Sequence, residues 1–199
     1  MSGERNSSGS ETDAAWPVDL AGVTETVVTT FGPNGLWNAA ALGVHAGDPA
    51  TARTWGNTRT RRNFHREGEG YVQFVDDPVV FAEAACSIRE CDDPVLDAAS
   101  AWARVAVERI DAGSEGGTDW EEWALRPVES AIERETVPTI DRGFGAVVEA
   151  TVAASRLGVD EYDEGELRDR LEHCAAVVER AGGLREREAL ERVRDHSAW

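Results

Sequence analysis

Residues 54 to 64 read TWGNTRTRRNF, and their side chains suit one kind of chemistry, the reception of an anion. Thr58 and Thr60 carry hydroxyls, Asn57 and Asn63 carry amides, and Arg59, Arg61 and Arg62 carry guanidinium groups. The window from Pro49 to Arg66 contains no acidic residue. This is unusual in a chain with 38 Asp and Glu, 20 basic residues that are all Arg, and a net charge of −18. Thr60 to Arg66 reads as a short helix, and Asn57, Thr58 and Thr60 are residue types that cap helix starts. A helix start offers unpaired N–H groups and the positive end of the peptide dipoles. With Arg59 or Arg62 beside it, such a turn would make a phosphate seat. The plainer reading of the same residues is a capped helix with a solvated, charged face. The local pattern alone leaves both open.

Other chemistry offers little competition. His45, His65, His173 and His196 have no metal-ligand spacing among themselves or with the cysteines, so no metal site is expected. There is no G-x-S-x-G elbow, no G-x-G-x-x-G and no P-loop. Asp76-Asp77 and Asp92-Asp93 both precede proline and read as turn and cap residues. Cys174 falls on the apolar stripe of a helix, where a packed thiol is expected. Three cysteines without repeated spacing fit reduced thiols in a cytoplasm. The N-terminus lacks a signal peptide's apolar region and no run is long enough to span a membrane, so neither export nor a membrane partner is expected. Dispersed acid opposes phosphate backbones, which argues against nucleic acid as a partner. Together with the absence of Lys, it resembles the proteins of halophilic archaea, adapted to molar salt.

The elements that must position the turn can be read from periodicity. Residues 1–18 are polar and Ser/Gly-rich at their start and are expected to form a disordered arm. Val23–Thr30 and Leu36–His45 read as strands joined by the FGPNG turn, a hairpin signal. Ala52–Trp55, Gly70–Asp77, Ala101–Ile110 and the region Trp123–Ile132 read as further strands. Asp77 and Pro78 mark a helix start. Helices take over at Pro138: one to Leu157, a second marked by Leu167, Leu171, Cys174 and Val178 and closed by Gly182-Gly183, and a third over LREREALERVRDH. The expected domains are therefore a β-rich unit over 19–136 and a helical extension over 137–199.

Four blocks then carry a likeness to a known family: VTETVVTTFGPNGLWNAAALGV, TRTRRNF, VDDPVVFAEAA and VPTIDRGFGAVVEATVAASRL, in that order. Over about residues 20 to 160 the chain resembles archaeal flavoproteins of unassigned function, with an FMN-binding split β-barrel and a C-terminal helical extension. The resemblance implies a mainly β plus α fold and a homodimer with FMN in a groove between subunits. It also implies a phosphate held by Arg and Ser/Thr side chains at the barrel edge. Carried over by position, Thr58, Arg59, Thr60 and Asn63, with Asn57 and Arg62, would surround the phosphate. Asn38, Ala39 and Ala40 would lie along the flavin ring, their small side chains admitting a flat heterocycle. Asn57 stands where the family more usually has Gly. Asp141-Arg142-Gly143 stands where an Asn-Arg-Ala-like run is more typical, which leaves open what the helices add to the site.

Three functions follow as expectations. The first is an FMN-dependent oxidoreductase of unknown substrate, in which the cofactor carries the chemistry. The second is a flavin carrier or sensor without turnover. The third is a dimeric structural module without flavin.

Overall fold

Alternating apolar and polar residues in the first half of the chain build one antiparallel sheet that closes on itself. The structure, a computed structural model, describes residues 14–199. The elements run β1 (Val23–Phe31), β2 (Trp37–His45), β3 (Ala50–Trp55), α1 (Arg59–Glu67), β4 (Glu69–Val75), α2 (Pro78–Cys86) and β5 (Arg89–Cys91). They continue as β6 (Ala99–Glu115), β7 (Thr118–Ile132), α3 (Arg142–Ala154), α4 (Glu164–Ala181) and α5 (Leu184–Asp195). Six strands in the order β1-β4-β6-β7-β3-β2 form the barrel, closed by the β1–β2 pairing, with β5 added to the edge of β2. Val28, Leu42, Val44, Val72, Val105 and Leu125 fill the interior, and Phe64 of α1 joins them. The fold is a split barrel with a helical extension.

The split has a definite place. β1 and β2 pair along their whole length, from Val23↔His45 to Phe31↔Trp37. β2 and β3 pair only at Val44↔Ala52 and His45↔Thr51. Since β5 meets β2 only at Trp37–Ala39, the edge from Ala40 to Gly43 has no strand partner on that side among the described residues. The barrel therefore opens between β2 and β3.

A second core lies among the helices, where Val147, Leu171, Val178 and Val193 are wholly buried. Phe81 and Ala84 of α2 pack with Val27 and Ala39, which fixes the helices to the outer face of the barrel beside the split. Asp77 starts α2 as anticipated, its Oδ1 accepting from the N–H groups of Val79 (2.9 Å) and Val80 (3.3 Å).

Several elements differ from the sequence reading. β6 and β7 form one long hairpin around Gly116-Gly117, with pairing down to Glu115↔Thr118. Both glycines have positive φ (56° and 77°), as a two-residue turn between twisted strands requires. The tip is polar and solvent-exposed, so no apolar alternation marks it. The helix expected from Pro138 starts at Arg142, because Asp141 caps it: its Oδ1 accepts from Phe144 N–H at 3.0 Å. Ile140, which stands at helical spacing from Phe144 and Val147, precedes the helix and is 99% exposed. α1 begins one residue earlier than expected, at Arg59. Of the arm expected over 1–18, residues 1–13 lie outside the described residues. Trp16 packs edge-to-face on Phe74 and so covers the barrel core.

Candidate functional site

The opening between β2 and β3 is a cleft of about 540 Å³, within the roughly 300–1,000 Å³ range of small-molecule sites. Asn38–Leu42 of β2 form one wall and Arg53–Trp55 of β3 the other. Asn57, Thr58, Arg59, Thr60 and Arg62 close one end, while Ala84, Ala85, Ser87 and Ile88 reach in from the end of α2. Ser155, just past α3, completes the lining and is the helical extension's contribution. Asp141-Arg142-Gly143 sits at the other end of α3, where its Asp caps the helix, and is not part of the wall. Among the described residues, three arginines and no carboxylate line this cleft, in a chain of net charge −18.

Thr58 is the N-cap of α1, in extended backbone (φ −74°, ψ 162°), and its Oγ1 accepts from Arg61 N–H at 3.2 Å. Arg62 N–H donates to Thr58 O at 3.2 Å. The N–H groups of Arg59 and Thr60 precede these bonds and have no partner within the helix. Arg62 Nη1 donates to Asn57 O (2.8 Å) and Oδ1 (3.2 Å), which folds the guanidinium back over the turn. Arg59 pairs with Glu90 of β5. Eight of the nine residues assigned to the site from sequence line the cleft: Asn38, Ala39, Ala40, Asn57, Thr58, Arg59, Thr60 and Arg62. Asn63 does not. It is buried beneath the turn, where its Nδ2 donates to Thr30 Oγ1 at 2.9 Å. Its amide ties α1 to β1.

The window free of acid in sequence is not free of it in space. Glu121 of β7, 2% exposed, lies behind α1; it accepts a hydrogen bond from Arg61 Nη2 at 2.9 Å and forms an ion-pair contact with Arg61 Nε at 2.9 Å. Arg109 Nη1 (3.0 Å) and His65 Nε2 (2.7 Å) complete its surroundings. Burial on its own would raise the Glu121 pKa; the hydrogen bonds from Arg61, Arg109 and His65 outweigh it and hold the carboxyl below its ordinary range. Arg61 Nη1 also donates to Gly56 O at 3.1 Å, so the clamp fixes the turn that precedes the cap. The sequence reading missed Glu121. One signal was present: it falls in phase with Trp123 and Leu125, both core residues, at a period of two.

The remaining polar groups bind and position. Thr54 Oγ1 accepts from Trp123 Nε1 at 2.9 Å, fixing the β3 wall. The unpaired edge Ala40–Gly43 directs alternate backbone N–H and C=O groups into the opening, next to side chains no larger than methyl at Ala39–Ala41. Cys86 is not on the lining, and burial pushes its thiol up to about 11, which keeps it neutral and unreactive. Among the described residues no group of three His, Cys, Asp or Glu could hold a metal ion, and no helix is long and apolar enough to cross a membrane.

A known structure shares this architecture. An FMN-bound protein from Methanosarcina mazei superposes with a TM-score of 0.74 at 23% identity, over 88% of this chain and 95% of that one. That likeness establishes the split barrel with its helical extension. The styrene monooxygenase flavin reductase of Pseudomonas putida S12 matches 56% of this chain and 79% of its own, at 16% identity and a TM-score of 0.40. An FMN-binding protein from Thermus thermophilus matches 67% and 82%, at 17% identity and 0.39. In sequence, two consecutive family models match, the N-terminal domain over residues 24–134 and its companion over 141–195, and the chain belongs to the DUF447 family of proteins of unknown function.

Proposed function

We propose that this protein binds FMN in the cleft between β2 and β3 and acts as an oxidoreductase on a substrate not yet identified. One observation carries the reading: the end of the cleft at α1 joins Arg59 and Arg62 to a capped helix start, with no carboxylate on the lining among the described residues, on a chain of net charge −18. The structure's donor set fits the group. Thr58, Thr60, the free N–H groups of Arg59 and Thr60, and the guanidinium of Arg62 would hold the phosphate. The Ala40–Gly43 edge and its small neighbours would accept the polar edge of the ring, and Asn38 adds an amide beside them. Bound there, FMN supplies electron or hydride transfer, and the chain binds, orients and shields it. The family likeness to an FMN-bound protein supports the same cofactor.

A flavin carrier or sensor is the second reading, and the lining favours it in one respect: among the described residues arginine is its sole ionisable side-chain type. Anaerobic reduction of the flavin-loaded protein by NADH or NADPH separates turnover from carriage.

The binding test compares FMN with riboflavin, which shares the ring and lacks the phosphate. Thr58→Ala and Thr60→Ala each remove a hydroxyl donor to a charged acceptor, worth about 1.5–3 kcal/mol. FMN affinity should fall about tenfold or more, since ~1.4 kcal/mol is one decade, while riboflavin affinity barely moves. Equal weakening of both ligands, or of neither, overturns the assignment.

The assembly we propose is a cytoplasmic homodimer from a halophilic archaeon. The connector to the helices leaves Ile132, Val137 and Ile140 exposed, a surface suited to a second copy. Light scattering in about 1 M KCl, where screening reaches ~3 Å, should give twice the 21.6 kDa chain mass. The melting temperature should fall as KCl drops to about 0.1 M. A monomer counts against the dimer, and a flat salt series against the halophilic setting.

A further inference from the structure

We propose that the outer lip of the cleft, formed by Trp55, Arg53 and Trp120, is a second subsite that takes a planar aromatic ring bearing an anionic group. It deepens the flavin reading, which it rests on for its role: the ligand would be the molecule that exchanges electrons with the cofactor. The cofactor contacts proposed above occupy the cleft end at Thr58 and Arg62 and the β2 wall. They leave Arg53 and Trp55 unassigned.

The lip is a consequence of strand alternation. Ala52 and Thr54 of β3 point inward and are buried, so Arg53 and Trp55 point outward. Across the β3–β7 ladder they face Glu122 and Trp120. The Arg53 guanidinium stacks 4.1 Å from the Trp120 ring centroid and 5.8 Å from that of Trp55. Trp120 is itself fixed from below. It lies over Gly113 of β6, where a Cβ would fall 2.6 Å from the ring. Any larger residue at 113 would lift the indole off the sheet. Backbone, indole, guanidinium and indole thus follow one another, with the last of them, Trp55, on the cleft wall and 43% exposed.

Two features of this stack point to a ligand. An indole left half in water forgoes burial that large apolar side chains normally obtain, and here it borders a cleft. Among the described residues the single hydrogen bond of the Arg53 side chain is a long one, 3.4 Å to Glu122 Oε2. Arg61 by contrast is fully engaged by Glu121 and Gly56. Stacking holds the Arg53 plane while leaving most of its N–H edge available to an anion. A π face and an oriented cation side by side recognise a ring with a charged substituent. That substituent is a phosphate or a carboxylate, and the probes below separate the two.

Titrations in about 1 M KCl, where long-range repulsion from the acidic surface is screened within ~3 Å, use two probe pairs. AMP is compared with adenosine, and benzoate with benzamide, on FMN-saturated and on flavin-free protein, followed by tryptophan fluorescence. At least one anionic probe should bind about tenfold more tightly than its neutral partner. Arg53→Gln and Trp55→Leu should each lower that affinity about tenfold while FMN affinity stays within about twofold. Gly113→Ala, which moves Trp120 while leaving Arg53 and Trp55 in place in sequence, should weaken the probe in the same direction. The proposal fails if neither anion binds, if charged and neutral partners bind alike, or if Arg53→Gln weakens FMN as much as the probe. It also fails if probe binding to flavin-free protein follows Thr58→Ala and ignores Arg53→Gln. Should FMN not bind at all while the probe still responds to Arg53 and Trp55, the lip stands and the flavin reading falls.

Discussion

The two faces of α1 treat the same kind of side chain in opposite ways. On the face turned to the barrel, Arg61 and His65 converge with Arg109 on Glu121, a carboxylate carried into the wall by β7. On the face turned to the cleft, Arg62 meets only the amide and carbonyl of Asn57, and Arg59 a partly exposed Glu90. The first arrangement neutralises charge and fixes the helix. The second keeps charge beside unpaired N–H groups, which is the condition for holding an anion. A cluster of arginines in sequence therefore divides into those held by the buried carboxylate and those left beside the cleft.

Breaking the anchor should have the largest effect. Glu121→Gln removes the charge that holds Arg61, Arg109 and His65, and should cost about 2–3 kcal/mol of stability. For a chain of this size that lowers the melting temperature by roughly 5–10 °C. The pH dependence identifies the cause. A folded-state pKa held below the ordinary value contributes stability that is complete above the unfolded pKa, about 4.3, and is lost as pH falls through the lower, folded value. The gap between wild type and variant should thus be full at neutral pH and close in acid. A gap that stays constant into strong acid would mean that Glu121 acts through packing alone.

A crossed pair of substitutions sharpens the contrast. Arg61→Ala withdraws one of the anchors and should lower stability by about 1–2 kcal/mol, with FMN and riboflavin affinities shifting little and together. Arg62→Ala touches an exposed side chain and should leave stability within about 0.5 kcal/mol. Its FMN affinity should fall about tenfold, and its riboflavin affinity should not. If both variants show the same profile by melting and by flavin fluorescence, the two faces are not functionally distinct.

Residue type made one face of this helix legible in the sequence and left the other hidden. Thr58 and the arginines around it suggest an anion seat by local chemistry while leaving a solvated helix face open, and Asn38–Ala40 lie on a strand that the family pattern marks. Glu121 is 60 positions from Arg61, and that long-range contact depends on the β3–β7 register, which no local pattern encodes. Asn63 shows the opposite failure: its type and position fit a ligand contact, but its side chain points to Thr30. The family likeness implied a split barrel, but the place of the split was not legible, for a related reason. It arises where β2 and β3 stop pairing after Val44 and Ala52, and both strands read as ordinary alternation on either side of that point. Polar hairpin tips such as Glu115–Thr118 were missed because backbone pairing there proceeds without burial.

Arg59 lies between the two classes and gives the smallest and most discriminating test. It lines the cleft but is bonded to Glu90, whose carboxylate would compete with a bound phosphate for the same guanidinium. Both side chains are partly exposed, 40% and 28%, so the pair is worth less than about 1 kcal/mol. Glu90→Gln retains an oxygen for the bond from Asn34 Nδ2, seen at 3.2 Å, and removes only the charge. If Glu90 restrains Arg59 as a competitor, FMN should bind up to about fivefold more tightly in the variant at about 0.1 M KCl. The gain should shrink near 1 M, where screening is ~3 Å, and riboflavin should show none. If FMN binding weakens instead, Glu90 is what aims Arg59 at the phosphate, and the acidic partner belongs to the seat it borders.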